Sequence, residues 1–187
     1  MAPPTSAAQA ILDAHARLLE RYRGVMDLVG PGPILPHFTD AVGAMTGLDA
    51  AGRWADLGSG AGFPGIALAA LFPAATVELV ESRQKRATFL TKVVRGAPVP
   101  NATVLRQRTE DLPAGAYDGL VSRAYKPPIR VLTEDAARLL RPGGRVALLL
   151  GDHPEVPVPP GFTLLESLRY PVEDGHRVRA LLRWGAA

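Results

Sequence analysis

The first fifty residues carry apolar positions at helical spacing. Apolar side chains recur every three or four positions over 8–22, and Ser6 with Gln9 fits a capping box at the start of that run. Gly and Pro alternate over 30–33 and stop any continuation. A second helix is expected over 36–45, ending before Gly47. The pattern therefore predicts an N-terminal helical extension over residues 1–50.

From residue 51 onward, short β-branched or apolar runs alternate with helical patterns. This alternation predicts βαβ units and a parallel sheet, which makes the chain an α/β protein. The strands are expected over 53–57, 76–81, 102–106, 117–122 and 145–150, with helices over 66–72, 84–95 and 129–140.

The pattern changes again near the C-terminus. Two strand-like runs, 162–170 and 178–184, are separated by a short polar turn at 173–176. A connection this short joins only antiparallel strands. We therefore expect a seven-stranded sheet whose last strand is antiparallel, in a single domain of residues 1–187 with its core over 51–187.

Composition narrows the function classes. The chain has 187 residues, 47% of them hydrophobic, and no Cys, which excludes disulfides, thiolate metal sites and cysteine nucleophiles. No apolar run approaches the ~20 residues that span a bilayer, and the start lacks the pattern of a signal peptide. A cytoplasmic protein without membrane or metal partners is expected. A net charge of +3 permits a nucleic-acid partner without requiring one.

The stretch with the clearest chemistry is G-S-G-A-G-F-P-G at 58–65, between a predicted strand and a predicted helix. Glycines let the backbone approach a ligand closely, and the N–H groups of a helix start favour a polar or anionic one. Asp56 ends the strand and is expected to face the same crevice. Glu81 ends the next strand, where an acid suits ribose hydroxyls. These residues predict a nucleoside-type cofactor.

The run at 60–65 also matches the dinucleotide fingerprint G-x-G-x-x-G, so NAD is the competing cofactor. A carboxylate at Asp56 suits a cationic amino acid and would repel a pyrophosphate. The closing hairpin resembles the reversed last strand of class I S-adenosylmethionine-dependent methyltransferases. L-R-P-G-G-R-V at 140–146 resembles the turn before their fifth strand. S-adenosylmethionine is therefore the expected cofactor, and the fold is expected to be their Rossmann-like one.

Four ordered motifs resemble one family. D-L-G-S-G-A-G-F-P-G-I at 56–66 is followed by E-S-x-x-K-R-x-x-F-L at 81–90, R-T-E at 108–110 and D-x-x-x-S-R-A at 118–124. Together they resemble RsmG (GidB), the small-subunit ribosomal RNA guanine-N7 methyltransferases. The resemblance implies methyl transfer from S-adenosylmethionine to a guanine N7 in 16S ribosomal RNA, alone or in the small subunit. That nitrogen carries no proton, so no general base is required.

The resemblance also implies site residues. Gly58 and Gly60 would lie along the methionine part of the cofactor and Glu81 would hold its ribose. Arg123 would lie where cofactor and acceptor meet, at the sheet edge where open α/β proteins bind ligands. No catalytic residue or metal ligand is identified, and the expected cofactor-binding set is Asp56, Gly58, Gly60, Phe63, Glu81, Thr109, Glu110 and Arg123.

Other features leave alternatives open. On spacing alone, Thr109 and Glu110 also fit an ordinary helix opening, and Arg123 fits a solvated loop. His37 and Asp40 match the family's H-x-x-D, with roles either at the acceptor base or at the surface. Bases at 83–95, with Arg123, Lys126 and Arg130, form either a phosphate-binding surface or a solvated face.

Two departures from the family pattern lie on the acceptor side. Residues 22–29 only faintly match its W-N-x-x-x-N-L-T, and Leu150-Gly151 replaces a frequent Lys-Gly. A methyltransferase of another RNA or a small molecule, and a non-catalytic cofactor-binding assembly factor, are therefore the competing functions. A monomer is expected.

Overall fold

The computed structural model describes residues 4–152 and 154–185. Residues 1–3, on which the expectation of no signal peptide partly rests, lie outside the described residues. Two N-terminal helices precede the sheet: α1 (Ser6–Met26) and α2 (Leu35–Ala44). The strands are β1 (Gly52–Leu57), β2 (Ala75–Val80), β3 (Ala102–Leu105), β4 (Tyr117–Arg123), β5 (Leu140–Leu150), β6 (Phe162–Val172) and β7 (Gly175–Trp184).

The connections between the strands are helical where the sequence predicts it. Helix α3 (Gly65–Leu71) follows β1, α4 (Gln84–Gly96) follows β2, and a 3-10 turn (Thr109–Asp111) follows β3. The helical segment between β4 and β5 begins as α5 (Pro128–Arg130), continues as a π-helical stretch (Val131–Ala136) and ends as α6 (Ala137–Leu139). The expected helix over 129–140 is therefore present, with a π turn that the periodicity did not predict.

The sheet has the order β3-β2-β1-β4-β5-β7-β6. The strands β3, β2, β1, β4 and β5 pair in parallel, and β7 is antiparallel to both β5 and β6. The expected α/β fold with a reversed last strand is confirmed. The order reverses between β1 and β4, and such a switch point opens a crevice at the carboxyl ends of the strands.

Alternation along β1 shows how the sheet separates two apolar layers. Trp54 packs into the core beneath α1, α3 and α4, whereas Ala55 and Leu57 pack into the core on the opposite face. Successive side chains on a strand point to opposite faces, so a strand in a sheet that is covered on both sides contributes to both cores. Leu57 pairs with both Val80 and Ser122, so the carboxyl ends of β1, β2 and β4 lie side by side.

The N-terminal helices cover one face of the sheet. Helix α1 packs on α3 and α4, while α2 packs on β6 and α3. The N-cap of α1 is Thr5, whose hydroxyl accepts from the Ala8 N–H at 3.2 Å. The expected Ser6–Gln9 capping box is therefore wrong by one residue, and the Gln9 amide instead donates to Asp13 at 2.8 Å. The division of the chain at residue 50 stays a prediction.

Candidate functional site

The turn after β1 is shaped by glycines in the left-handed region. Gly58 has φ 72° and Gly60 has φ 55°, conformations that cost residues with a Cβ. The N–H groups of Gly58 and Ser59 both donate to the Val80 carbonyl at 3.0 Å, which ties the turn to the end of β2. A Cβ placed on Gly60 would meet no atom closer than 3.7 Å, so the space beside it is open.

Asp56 lies beneath this turn rather than beside the crevice. Its side chain is fully buried, and Oδ2 accepts from the Gly65 N–H at the start of α3 at 3.0 Å. Burial raises the pKa of this carboxyl to about 7, against the lowering effects of the nearby Ser59 hydroxyl and of the Gly65 N–H. The expectation that Asp56 faces the crevice is wrong, because its carboxylate is used to fasten the turn to α3. Its contact with a cofactor stays a prediction.

Phe63 is also directed inward. Its ring packs against His15 and Phe38, with ring centroids 4.9 and 4.8 Å away, and only 4% of the residue is exposed. The guanidinium of Arg123 lies over the ring at 4.9 Å. Phe63 therefore supports Arg123 from below, and its contact with a cofactor stays a prediction.

Glu81 holds the turn from the opposite side. One carboxylate oxygen accepts from the Gly60 N–H at 3.1 Å and the other from the Arg83 N–H at 2.8 Å. The side chain reaches a cavity of about 360 Å³, which we call the β1–β2 cavity. Gly58, Glu81, Arg86, Thr109, Glu110 and Tyr125 are among its lining residues.

Thr109 and Glu110 lie in the 3-10 turn that follows β3, at the edge of the β1–β2 cavity. The buried Thr109 hydroxyl donates to Asp135 at 2.9 Å and lies 3.0 Å from the Tyr125 hydroxyl. Glu110 is exposed. Its pKa is lowered mainly by a backbone hydrogen bond and, to a smaller extent, by the positive charge of Lys126. The structure brings both residues together with Gly58 and Glu81, as the sequence predicts; their cofactor contacts stay a prediction.

A second cavity of about 500 Å³ lies beyond the end of β4. We call it the β4–β5 cavity. It is lined by His37 and Asp40 of α2, Arg123 of β4, Leu150 of β5 and Arg177 of β7. Ala124 and Lys126 line both cavities, so the turn at 124–126 forms the wall between them.

That wall is held in place by its own contacts. Ala124 has φ 52°, and the Tyr125 ring lies so close to Gly58 that a Cβ there would meet it at 2.4 Å. The Lys126 ammonium lies 3.1 Å from the Asp135 carboxylate in the π-helical stretch. Burial lowers the pKa of Lys126, but the hydrogen bond and charge of Asp135 outweigh it and raise the pKa to about 12. Lys126 therefore stays protonated, and its charge is paired with that of Asp135.

The sequence did not predict how Arg123 is held. Its Nη1 donates to Asp40 Oδ2 at 2.9 Å, and Asp40 Oδ1 accepts from the Tyr170 hydroxyl at 2.7 Å. Asp40 is therefore not a solvated surface acid. The H-x-x-D match was a signal for Asp40, but no sequence pattern links Tyr170 to a residue 130 positions earlier.

The basic surface expected from the sequence is divided in the structure. Arg123 pairs with Asp40, Lys126 with Asp135, and Arg130 with Glu134. Arg83, Lys85 and Arg95 of the α4 region are exposed. The free positive charge therefore lies on α4, beside the β1–β2 cavity, whereas the bases near the β4–β5 cavity are held in ion pairs.

Two other expectations concern absent features. Among residues 4–152 and 154–185, no group of three or more His, Asp or Glu side chains is arranged to hold a metal ion. Over the same residues, no helix has the length and apolarity that a membrane span requires.

The sequence profile of the GidB family, described as rRNA small subunit methyltransferase G, matches residues 15–158. The chain belongs to the GidB family. A ribosomal RNA small subunit methyltransferase G from Cellvibrio japonicus is 37% identical over 134 residues, 70% of this chain and 61% of that protein. One from Aromatoleum aromaticum is 33% identical over 172 residues, 86% of this chain and 81% of that protein. The match to the first of these therefore spans less than two thirds of the relative's length.

Solved structures agree with this assignment at the level of the fold. A variant of MtNAS in complex with S-adenosylmethionine has a TM-score of 0.66 at 16% identity, covering 96% of this chain and 77% of that one. P. horikoshii TYW2 in complex with MeSAdo has a TM-score of 0.62 at 15% identity, covering 84% and 66%. The fold of the GidB chain is that of class I S-adenosylmethionine-dependent methyltransferases.

Proposed function

We propose that this GidB chain transfers the methyl group of S-adenosylmethionine to N7 of a guanine in the 16S ribosomal RNA of the small subunit. The supporting observation is the pair of cavities at the carboxyl edge of the sheet, separated only by the turn at 124–126. One cavity is polar and bounded by the glycine turn, and the other is bounded by Arg123 and His37. Methyl transfer needs two adjacent sites of this kind.

The β1–β2 cavity fits the cofactor. Its volume, about 360 Å³, lies within the range of small-molecule sites. Each Glu81 oxygen accepts one backbone N–H and retains a second lone pair, which suits the two ribose hydroxyls. Open space beside Gly60, with Arg86 Nη1 3.9 Å from a Cβ placed there, suits the methionine part and its carboxylate. Thr109 and Glu110 border the remaining edge, where the adenine is expected.

The chemistry at the acceptor requires positioning rather than proton transfer. S-adenosylmethionine, when bound, supplies an electrophilic methyl group. Guanine N7 has a free lone pair and no proton, so the protein needs no general base. The residues of the β4–β5 cavity have to hold the base so that N7 faces the β1–β2 cavity across the turn at 124–126. Correct alignment of reacting atoms contributes much of the rate of such a step.

Arg123 is placed to read the acceptor. One of its nitrogens donates to Asp40, and Arg123 also lines the β4–β5 cavity. Guanine presents O6 and N7 as acceptors on one edge, whereas adenine presents an amino donor beside N7. Donation from Arg123 to O6 would select guanine and leave N7 free to react.

The test is incubation of purified protein with labelled S-adenosylmethionine and, in separate reactions, small subunits, protein-free 16S RNA and a pool of small molecules. We expect label in the RNA of the subunit or in the free RNA. Label only in small molecules would overturn the proposed substrate while keeping the reaction class. Failure to bind S-adenosylmethionine, measured by calorimetry, would overturn the reaction class itself.

A methyltransferase acting on another RNA is the second candidate. The observation that favours it is Leu150, which lines the β4–β5 cavity where family members often carry Lys. Adding transfer RNA and large-subunit RNA to the same assay separates the two candidates.

A further inference from the structure

We propose that Asp40 and Tyr170 are positioning residues for Arg123, and that they fix its guanidinium at the β4–β5 cavity; this inference rests on the proposed function. Three distant segments meet here. Arg123 ends β4, Asp40 lies in the N-terminal extension on α2, and Tyr170 lies on β6 of the C-terminal hairpin. Asp40 accepts from both partners, one on each carboxylate oxygen.

Each carboxylate oxygen of Asp40 accepts a hydrogen bond from a different residue. Oδ2 accepts from Arg123 Nη1 at 2.9 Å, and Oδ1 accepts from the Tyr170 hydroxyl at 2.7 Å. A carboxylate held by only one partner rotates about its last bond, whereas bonds on both oxygens fix its plane. The Tyr170 hydroxyl therefore sets the orientation that the guanidinium meets.

Tyr170 is itself held rigidly. Only 4% of it is exposed, and its ring lies so close to Gly43 on α2 that a Cβ there would meet it at 2.7 Å. Burial first, and then the hydrogen bond to Asp40, raise the pKa of Tyr170 well above its ordinary value of 10.0. The hydroxyl therefore remains protonated and donates at every working pH.

The position of the Arg123 guanidinium is thus fixed by two contacts. The Phe63 ring supports its face at 4.9 Å, and Asp40 fixes one edge. A planar guanidinium with one edge occupied presents its other N–H groups in a set direction. Loss of the Tyr170 hydroxyl would leave the charge of Arg123 in the cavity but loosen its direction, which affects alignment more than binding.

The same chain contains a matched constellation away from the site. Tyr117 donates to Glu78 Oε2 at 2.6 Å, while Arg53 donates to Glu78 Oε1 at 2.9 Å and lies over the Tyr117 ring at 4.7 Å. Arg53 lies near the amino end of β1, whereas both cavities lie at the carboxyl ends of the strands. This set has the same three side-chain types as Tyr170, Asp40 and Arg123, and its tyrosine is buried to a similar extent. It has no role in the proposed reaction.

The test compares two pairs of variants in the full chain: Tyr170→Phe with Tyr117→Phe, and Asp40→Asn with Glu78→Gln. We expect Tyr170→Phe and Asp40→Asn to lower kcat roughly tenfold or more, with KM for the RNA changed less than about threefold. Tyr117→Phe and Glu78→Gln should leave kcat within about twofold of the parent, because they remove comparable bonds at the other end of the sheet. Equal losses of kcat in both pairs would overturn the proposal.

An independent readout does not need activity. The Nε–H resonances of the arginines in an NMR spectrum, assigned with Arg123→Lys and Arg53→Lys, report the order of each guanidinium. We expect Tyr170→Phe to broaden or shift the Arg123 resonance and leave that of Arg53, and Tyr117→Phe to do the reverse. An Arg123 resonance unchanged in Tyr170→Phe would overturn the positioning role. Absence of methyl transfer in the parent protein, with this NMR pattern present, would instead overturn the proposed function.

Discussion

At the scale of single residues, two buried ionisable groups beneath the glycine turn carry opposite pH dependences. His15 is fully buried, and its Nε2 donates to the Ala61 carbonyl at 2.7 Å. Burial lowers the pKa of His15 from 6.5 to about 4, while burial raises that of Asp56 from 3.8 to about 7. The contribution of neutral His15 to stability is therefore lost as pH falls from 6.5 towards 4. That of protonated Asp56 is lost as pH rises from 3.8 towards 7.

Since these two windows overlap, the effects largely cancel in the parent protein. We predict that His15→Gln makes the free energy of unfolding fall as pH rises from 4.5 to 6.5, by up to ~1.4 kcal/mol per pH unit, because Asp56 then titrates without the opposing effect of His15. Asp56→Asn should give the opposite slope. Urea denaturation at three pH values measures both slopes. Parallel pH profiles for both variants and the parent would contradict this account.

Glu81 is the residue on which cofactor affinity should depend most. In Glu81→Gln one amide N–H group faces a backbone donor, either that of Gly60 or that of Arg83, so the turn loses one of its two ties. We predict that the Kd for S-adenosylmethionine rises at least tenfold, which corresponds to about 1.4 kcal/mol. Calorimetric titration measures it. Glu78→Gln is the control at the opposite end of the sheet, and its Kd is expected within about threefold of the parent.

At the scale of elements, the chain uses buried polar contacts to attach α2 to the C-terminal hairpin. Arg179 on β7 is fully buried and donates to the carbonyls of Ala44 and Thr46, at 2.8 and 2.6 Å, just where α2 ends. It also pairs with Glu166 on β6. These carbonyls follow the last turn of a helix, where cations are favourable.

Replacement of this arginine tests the attachment. We predict that Arg179→Met lowers the free energy of unfolding by about 3 kcal/mol, because the helix end and Glu166 lose their partner. Arg169→Met on β6 removes a half-exposed arginine paired with Asp152 and should cost less than about 1 kcal/mol. Urea denaturation compares them. If Arg179→Met lowered the free energy of unfolding no more than Arg169→Met does, α2 would be held by its apolar contacts alone.

Sequence periodicity predicted most elements because apolar spacing follows burial on two faces of one sheet. It missed the π-helical stretch at Val131–Ala136, since one extra residue in a turn hardly changes the spacing of apolar positions. That stretch carries Asp135, which pairs with Lys126 at the wall between the cavities. It also missed the burial of Asp56, which shares the face of β1 that carries Trp54, because acids are rarely fully buried.

At the scale of the whole molecule, the site combines parts that the chain order keeps far apart. Glu81 and Gly58 come from neighbouring strands of the core, and their meeting is a consequence of parallel pairing that the sequence predicted. Arg123, Asp40 and Tyr170 come from β4, the N-terminal extension and the C-terminal hairpin. Their meeting depends on how α2 packs against β6, which no local pattern specifies. The acceptor side of the site was therefore less predictable than the cofactor side.

The central claim is that the two cavities serve one reaction, methylation of a guanine at N7. The most direct measurement is mass spectrometry of the nucleosides from 16S ribosomal RNA after reaction with the protein and S-adenosylmethionine. The account predicts 7-methylguanosine, formed by the parent protein and reduced at least tenfold in Arg123→Lys, which keeps the charge but loses the planar donor set. A methyl group on any other nucleoside, or at another position of guanine, would contradict it.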